Sequence, residues 1–121
     1  VSDGRFAGLP ARELPGGATV ILAKTRKSRR RGLGGLTSLP ADQGLEIPTQ
    51  SVHMFTMKFA LDLVWLAKDG SVVRVDRDVR WGRMRTCLRA RSVIEVSAGG
   101  ADAFVAGLAA ERDALEPAPG K

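Results

Sequence analysis

Apolar and polar positions alternate most clearly on either side of Asp69-Gly70, where Leu61 to Leu66 precede the turn and Val72, Val73 and Val75 follow it. Asp-Gly suits a two-residue hairpin turn with positive φ at both central positions, so the pattern predicts two antiparallel strands in a fixed register. With Lys68 opposite Ser71, Leu66 faces Val73, Val64 faces Val75 and Asp62 faces Arg77 on one side, while Trp65 faces Arg74 and Leu63 faces Asp76 on the other. Residues 19–23, 45–47 and 92–97 read as further strands, the last with Val93 and Glu95 on one side and Ile94 and Val96 on the other. Thr25 is placed to cap a short helix running through Arg31, with Gly32 as its stop, and residues 101–115 have helical composition with Phe104, Val105 and Leu108 near one face. Glycines and prolines break any period over residues 1–18, which read as an irregular lead-in. Residues 78–91 read as an Arg-rich loop pinned to the body by Trp81 and Met84, and residues 116–121 as a flexible tail.

With 121 residues, 44% of them hydrophobic, the chain fits one domain over residues 19–115. Cys87 is the single cysteine and His53 the single histidine, which excludes an internal disulfide framework and a Cys-rich zinc site. That usage fits a reducing compartment, and a cytoplasmic location is expected. No apolar run approaches the ~18 residues of a membrane span, so no transmembrane segment is expected.

Nineteen Lys and Arg against thirteen Asp and Glu give a net charge of +6, which favours anionic partners where the charge is concentrated. Lys24, Arg26, Lys27, Arg29, Arg30 and Arg31 form one basic group, and Arg74 to Arg91 a second, diluted by Asp76 and Asp78. Gly32, Gly34 and Gly35 follow the first group, but no Gly-Lys-Ser/Thr comes after them and they do not bridge a strand to a helix, so they are not read as a nucleotide loop. Weak electrostatic nucleic-acid binding fits the basic groups, yet two Trp, four Phe and no Tyr supply no stacking motif among them.

The chemistry-bearing residues gather in Ser51-Val52-His53-Met54-Phe55-Thr56-Met57-Lys58-Phe59-Ala60-Leu61-Asp62. In an extended segment His53, Phe55 and Met57 project to one side, so that an imidazole and a thioether line one pocket. Such a pair suits a soft metal such as copper(I), but it falls short of a ligand set and no metal or cofactor is expected. Asp62 stands inside an apolar strand, where an ionised carboxylate is costly unless it is paired. Its two readings are an ion pair with Arg77 and a general base working beside His53. Cys87, among Arg85, Arg89 and Arg91, has surroundings that favour a thiolate, although a lone cysteine is more commonly inert.

Four pieces in order carry a resemblance. They are Arg29-Arg30-Arg31-Gly32-Leu33-Gly34-Gly35-Leu36 with Leu39-Pro40; Ser51-Val52-His53 through Met57-Lys58-Phe59 with Asp62; Asp69-Gly70 before a Val-rich strand; and Val93-Ile94-Glu95-Val96 with Ala98-Gly99. Over roughly residues 20–108 the chain resembles the uncharacterised domain of unknown function 192 family. The resemblance implies an α+β fold: a small, mostly antiparallel curved sheet or partly closed β-barrel with one or two short helices. The chain departs from the family pattern at Thr49, where relatives often carry cysteine, at Ala60, where they carry proline, and at Glu111-Arg112-Asp113, where they carry Gly-Asp. The resemblance supplies no reaction.

The sequence lacks a complete catalytic set, so the leading expectation is a non-enzymatic binding or accessory module for a protein or small anionic ligand. Its expected binding residues are Arg31, Gly32, His53, Met57, Lys58, Asp62, Arg77 and Trp81. The alternative is a small enzyme using His53 and Asp62 on an anionic substrate.

Overall fold

The protein is described by a computed structural model covering residues 4–115. Ten elements follow one another: β1 (Ala11–Glu13), β2 (Thr19–Leu22), α1 (Arg26–Arg31), β3 (Gln43–Ile47), β4 (Ser51–His53), β5 (Leu61–Leu66), β6 (Val72–Val79), β7 (Met84–Thr86), β8 (Ser92–Ser97) and α2 (Ala101–Leu115). Six strands form an open sheet in the order β1-β2-β3-β8-β5-β6, and β4 pairs with β7 in a separate ribbon. Only β2 and β3 run parallel within the sheet; α1 lies in the connection between them. The architecture is α+β with a mostly antiparallel sheet. It is not a closed barrel, because β1 and β6 remain edges.

The hairpin register holds at its centre, where Leu63 pairs with Asp76, Val64 with Val75 and Trp65 with Arg74. Its two ends differ from expectation. At the turn, Ala67 N donates to Ser71 O and only Gly70 takes positive φ, at 85°, so the loop has three residues and Leu66 faces Val72 instead of Val73. The Asp69 carboxylate accepts from Ser71 N at 3.0 Å, holding Asp69 out of the left-handed conformation that a two-residue turn demands. A second shift lies between Leu61 and Leu63, so Asp62 has no direct partner in β6.

Every residue of β5 is buried, because the central sheet is covered on both faces. On one face Val64, Leu66, Ile94 and Val96 pack with Phe104 and Leu108 of α2 and with Leu14 and Val20. On the other, Leu61, Leu63, Trp65, Val93 and Leu45 are covered by Leu33, Leu36, Leu39, Val52, Met54 and Met57 from the long connections. Trp65 ends this second face with its indole N–H on Asp76 Oδ2 at 2.9 Å, while the Arg74 guanidinium holds the same oxygen and lies over the ring.

The sequence expectations fail where local periodicity is weakest. Residues 11–13, within the expected irregular lead-in, form β1, and Arg12 there joins Glu111 of α2 at 2.9 Å. Residues 78–91, expected to be loop, supply the end of β6 and all of β7. Trp81 and Met84 are 69% and 59% exposed and do not enter the core, Trp81 contacting only the surface residue Phe55 among described ring partners; Val79, Cys87 and Ala90 are the buried residues there. The expected tail at residues 116–121 lies outside the described residues.

Gly44 lets α2 sit close on the sheet. A Cβ at this position would stand 2.7 Å from Ile94 Cγ2, 2.8 Å from Val96 Cγ1 and 2.9 Å from the Phe104 ring. Gly44→Ala is therefore expected to lower stability by about 1–3 kcal/mol, through overpacking of this helix-covered face. Urea unfolding measures the loss, and an unchanged midpoint would show that the contact yields freely.

Candidate functional site

An open cleft of about 380 Å³ lies between α1 and the segment after β3. One wall is the basic helix. Ser28 N donates to Thr25 Oγ1 and Thr25 N to Ser28 Oγ, both at 3.0 Å, a reciprocal cap that starts the helix after β2. Gly32 ends it with φ 51°, and Leu33 and Leu36 then turn inward and anchor the glycine loop in the core. Arg26, Arg29, Arg30 and Arg31 line the cleft from this side. Among the described residues, Arg26, Arg29 and Arg30 have no carboxylate partner.

The opposite wall comes from Pro48, Thr49, β4 and the turn after it, through His53, Thr56 and Met57. The two walls touch where the glycine loop meets Thr56. Gly35 N donates to Thr56 O at 3.1 Å, and a Cβ on Gly34 would lie 2.8 Å from Thr56 Oγ1, so only glycine fits without displacement. Beyond His53 the chain leaves the strand, with Met57 N on Met54 O, which sends Met57 into the core and Phe55 to the surface. The expected common side for His53, Phe55 and Met57 is therefore broken. Phe55 instead stacks edge-on against Trp81, whose indole N–H donates to Phe55 O at 3.1 Å, and lies 5.8 Å from the His53 ring.

Glu95 reaches the cleft from β8, its neighbours across the sheet being Leu45 of β3 and Leu63 of β5. Its residue is only 6% exposed. No hydrogen-bond donor among the described residues reaches its carboxyl, and burial alone pushes its pKa up to about 7. A neutral acid at this position presents one O–H toward the cleft. Gly32 lies close to it: a Cβ there would stand 3.8 Å from Glu95 Oε1.

Four of the expected binding residues, Arg31, Gly32, His53 and Met57, thus meet in one place. Lys58, Asp62, Arg77 and Trp81 do not line it. Lys58 is exposed just beyond Met57, and Trp81 lies on the outer ridge with Phe55. Arg77 pairs with Asp102 at 2.7 Å, not with Asp62.

Asp62 is 1% exposed, and its carboxylate accepts three backbone N–H groups: Asp78 at 2.9 Å through one oxygen, and Gly99 at 3.0 Å and Ala101 at 3.2 Å through the other. The irregular pairing after Leu61 and the φ of 52° at Asp78 bring the β6 donor around, while Gly99 and Ala101 belong to the turn into α2 and its first residue. Backbone donors satisfy this charge where a guanidinium was expected. The pairing of His53 with Asp62 as catalytic partners is not formed, since His53 opens on the cleft and Asp62 is enclosed at the helix start. Among the described residues no group of three metal-ligating side chains exists.

A family profile described as an uncharacterized ACR, domain of unknown function 192, matches residues 11–107. The chain belongs to the DUF192 family. Curated proteins give no match. Among solved structures, a proposed transcription regulator from Sinorhizobium meliloti 1021 superposes with a TM-score of 0.61 at 20% identity, covering 88% of this chain and 85% of its own. A protein of unknown function from Novosphingobium aromaticivorans DSM 12444 gives 0.60 at 15% identity, covering 97% and 94%. At these identities the likeness is one of fold.

Within this DUF192 domain the two buried acids have opposite consequences for stability. Asp62→Ala strands three enclosed donors and is expected to cost about 3–5 kcal/mol in urea unfolding. A midpoint like that of the unaltered protein would show the clamp to be dispensable. Glu95 has its folded pKa raised from 4.5 to about 7, so the folded state holds the extra proton between these values. Its contribution is complete below pH 4.5 and is lost as pH rises through about 7, a fall on the order of 3 kcal/mol. Glu95→Gln should remove that fall, and unfolding curves from pH 4 to 8 compare the two proteins; parallel profiles would contradict the assignment.

Proposed function

We propose that this DUF192 domain is a non-enzymatic binding module that holds a small anionic ligand in the cleft between α1 and the turn after β4. The observation that carries the reading is a Glu95 carboxyl, without a hydrogen-bond partner among the described residues, lining the same cleft as the arginines of α1. Its oxygens open on the cleft, where several guanidiniums supply hydrogen-bond donors and positive charge. Arginine forks match carboxylate and phosphoryl oxygens. Catalysis through Asp62 has no support, because its oxygens are already occupied by backbone donors.

A second reading is a protein partner. It is favoured by the exposed ridge of Phe55, Trp81 and Met84, at 55%, 69% and 59%, beside the cleft residue His53. Aromatic and Met side chains are enriched at such interfaces.

Calorimetric titration with sulfate, acetate and inorganic phosphate in a cationic buffer tests the first reading. Saturable binding of at least one anion is expected, and the paired change Arg29→Gln with Arg30→Gln should weaken it about tenfold or more. Because α1 buries none of its residues, that variant should keep the native melting temperature. Equal binding by the variant, or none by the unaltered protein, would remove the cleft reading. Tight oligonucleotide binding that small anions fail to displace would replace it with nucleic-acid contact.

A further inference from the structure

We infer that ligand uptake in this cleft is coupled to a proton: the ligand presents an acceptor-only oxyanion, carboxylate or sulfate-like, to the O–H of a protonated Glu95 and its remaining oxygens to the α1 guanidiniums. This inference rests on the proposed anion-binding role and specifies which anions qualify and when they leave.

The geometry supplies the argument. Glu95 emerges between Leu45 and Leu63, with Ile47 and Leu33 also lining the cleft, so its direct cross-strand partners offer no polar side chain. Gly32 covers it with no side chain, which leaves an approach from the cleft. The charged and titratable groups facing this space are Arg26, Arg29, Arg30 and Arg31 from α1, and His53 from β4. Behind the loop, Arg5 donates to the carbonyls of Gly32 and Gly34. No other acid lines the cleft among the described residues. Glu46, the nearest acid along β3, is held by Ser92 Oγ at 2.7 Å and Arg12 at 3.6 Å and does not line it.

Apart from hydroxyls, backbone and the imidazole of His53, the polar groups this cleft offers to a ligand while Glu95 is protonated are donors. A cation would meet four guanidiniums. An oxyanion accepts from Arg26, Arg29 and Arg30, which have no carboxylate partner among the described residues, and from the Glu95 O–H where it opens on the cleft. Once Glu95 loses its proton, the same oxyanion faces a second negative charge in a largely apolar recess, which is strongly unfavourable. Binding above the acid's own titration range must then take up one proton from solution for each ligand, and alkaline conditions release it. Glu95 is desolvated enough for that range to fall near neutrality.

Sulfate and acetate are the probes, since neither titrates between pH 6 and 9. Isothermal calorimetry in two cationic buffers of different ionisation enthalpy reads affinity and proton uptake together. Affinity is expected to be flat below about pH 7 and to fall up to about tenfold per pH unit above it, with uptake approaching one proton per anion. Glu95→Gln, which keeps an N–H donor without a charge, should bind with affinity independent of pH above 7 and with no uptake. Anion binding that the Arg29/Arg30 variant loses but that has no pH dependence would overturn the proton coupling and leave the binding module standing. The same pH slope in Glu95→Gln would place the proton on another group and also overturn it. Absence of binding by both probes at any pH would remove the module and the coupling together.

Discussion

Three backbone donors converge on the Asp62 carboxylate, and the sheet and its covering helix are joined through that point. The carboxylate lies on β5, the strand most completely enclosed by its neighbours, and its acceptors reach across to β6 on one side and to the β8–α2 turn on the other. Charge near the first turn of a helix is favourable because the helix presents unpaired N–H groups there. The first residue of α2 carries one of these groups directly to Asp62. From that anchored end, Phe104 and Leu108 are delivered onto Val64, Ile94 and Val96, and Gly44 gives the ring room to approach. One face of the sheet is thereby sealed by a regular helix, and long connections are left to cover the other.

Those connections create the cleft. Where a helix covers a sheet, its side chains form a continuous layer, but the other face is assembled from the glycine loop, the turn after β4 and the β7 region. The layer is interrupted at Glu95, whose neighbours Val93 and Leu45 are sealed. Two acids within 34 positions thus sit in equally apolar strands with opposite electrostatic settings: Asp62 is saturated with donors and Glu95 has none. Burial without a donor favours the neutral form of Glu95.

Much of the fold is legible in the sequence because its signals are local. Thr25 and Gly32 mark both ends of α1, the Val93/Glu95 alternation assigns the faces of β8, and the valines after Asp69-Gly70 set the central register of the hairpin. The parts that were missed depend on distant partners. β7 exists only because β4 lies beside it, and β1 only because β2 does. Asp62 was conspicuous as a charge among apolar residues, but its satisfaction by main-chain N–H groups from two other segments has no side-chain signature. Glu95 carries the same signal, a carboxylate within the apolar strand Val93-Ile94-Glu95-Val96. The cleft was half visible, as Arg31, Gly32, His53 and Met57; its acid floor depended on a strand pairing that brings residue 95 beneath residue 32.

Because α1 contributes no buried residue, the helix is held by its Thr25–Ser28 cap and by the leucines that follow it, not by the arginines along its length. Folding therefore places few demands on which side chains occupy positions 26, 27, 29 and 30. The guanidiniums that would meet a ligand are thus carried by a helix that the core does not hold through them, and the scaffold beneath stays fixed when Arg26, Arg29 or Arg30 is replaced.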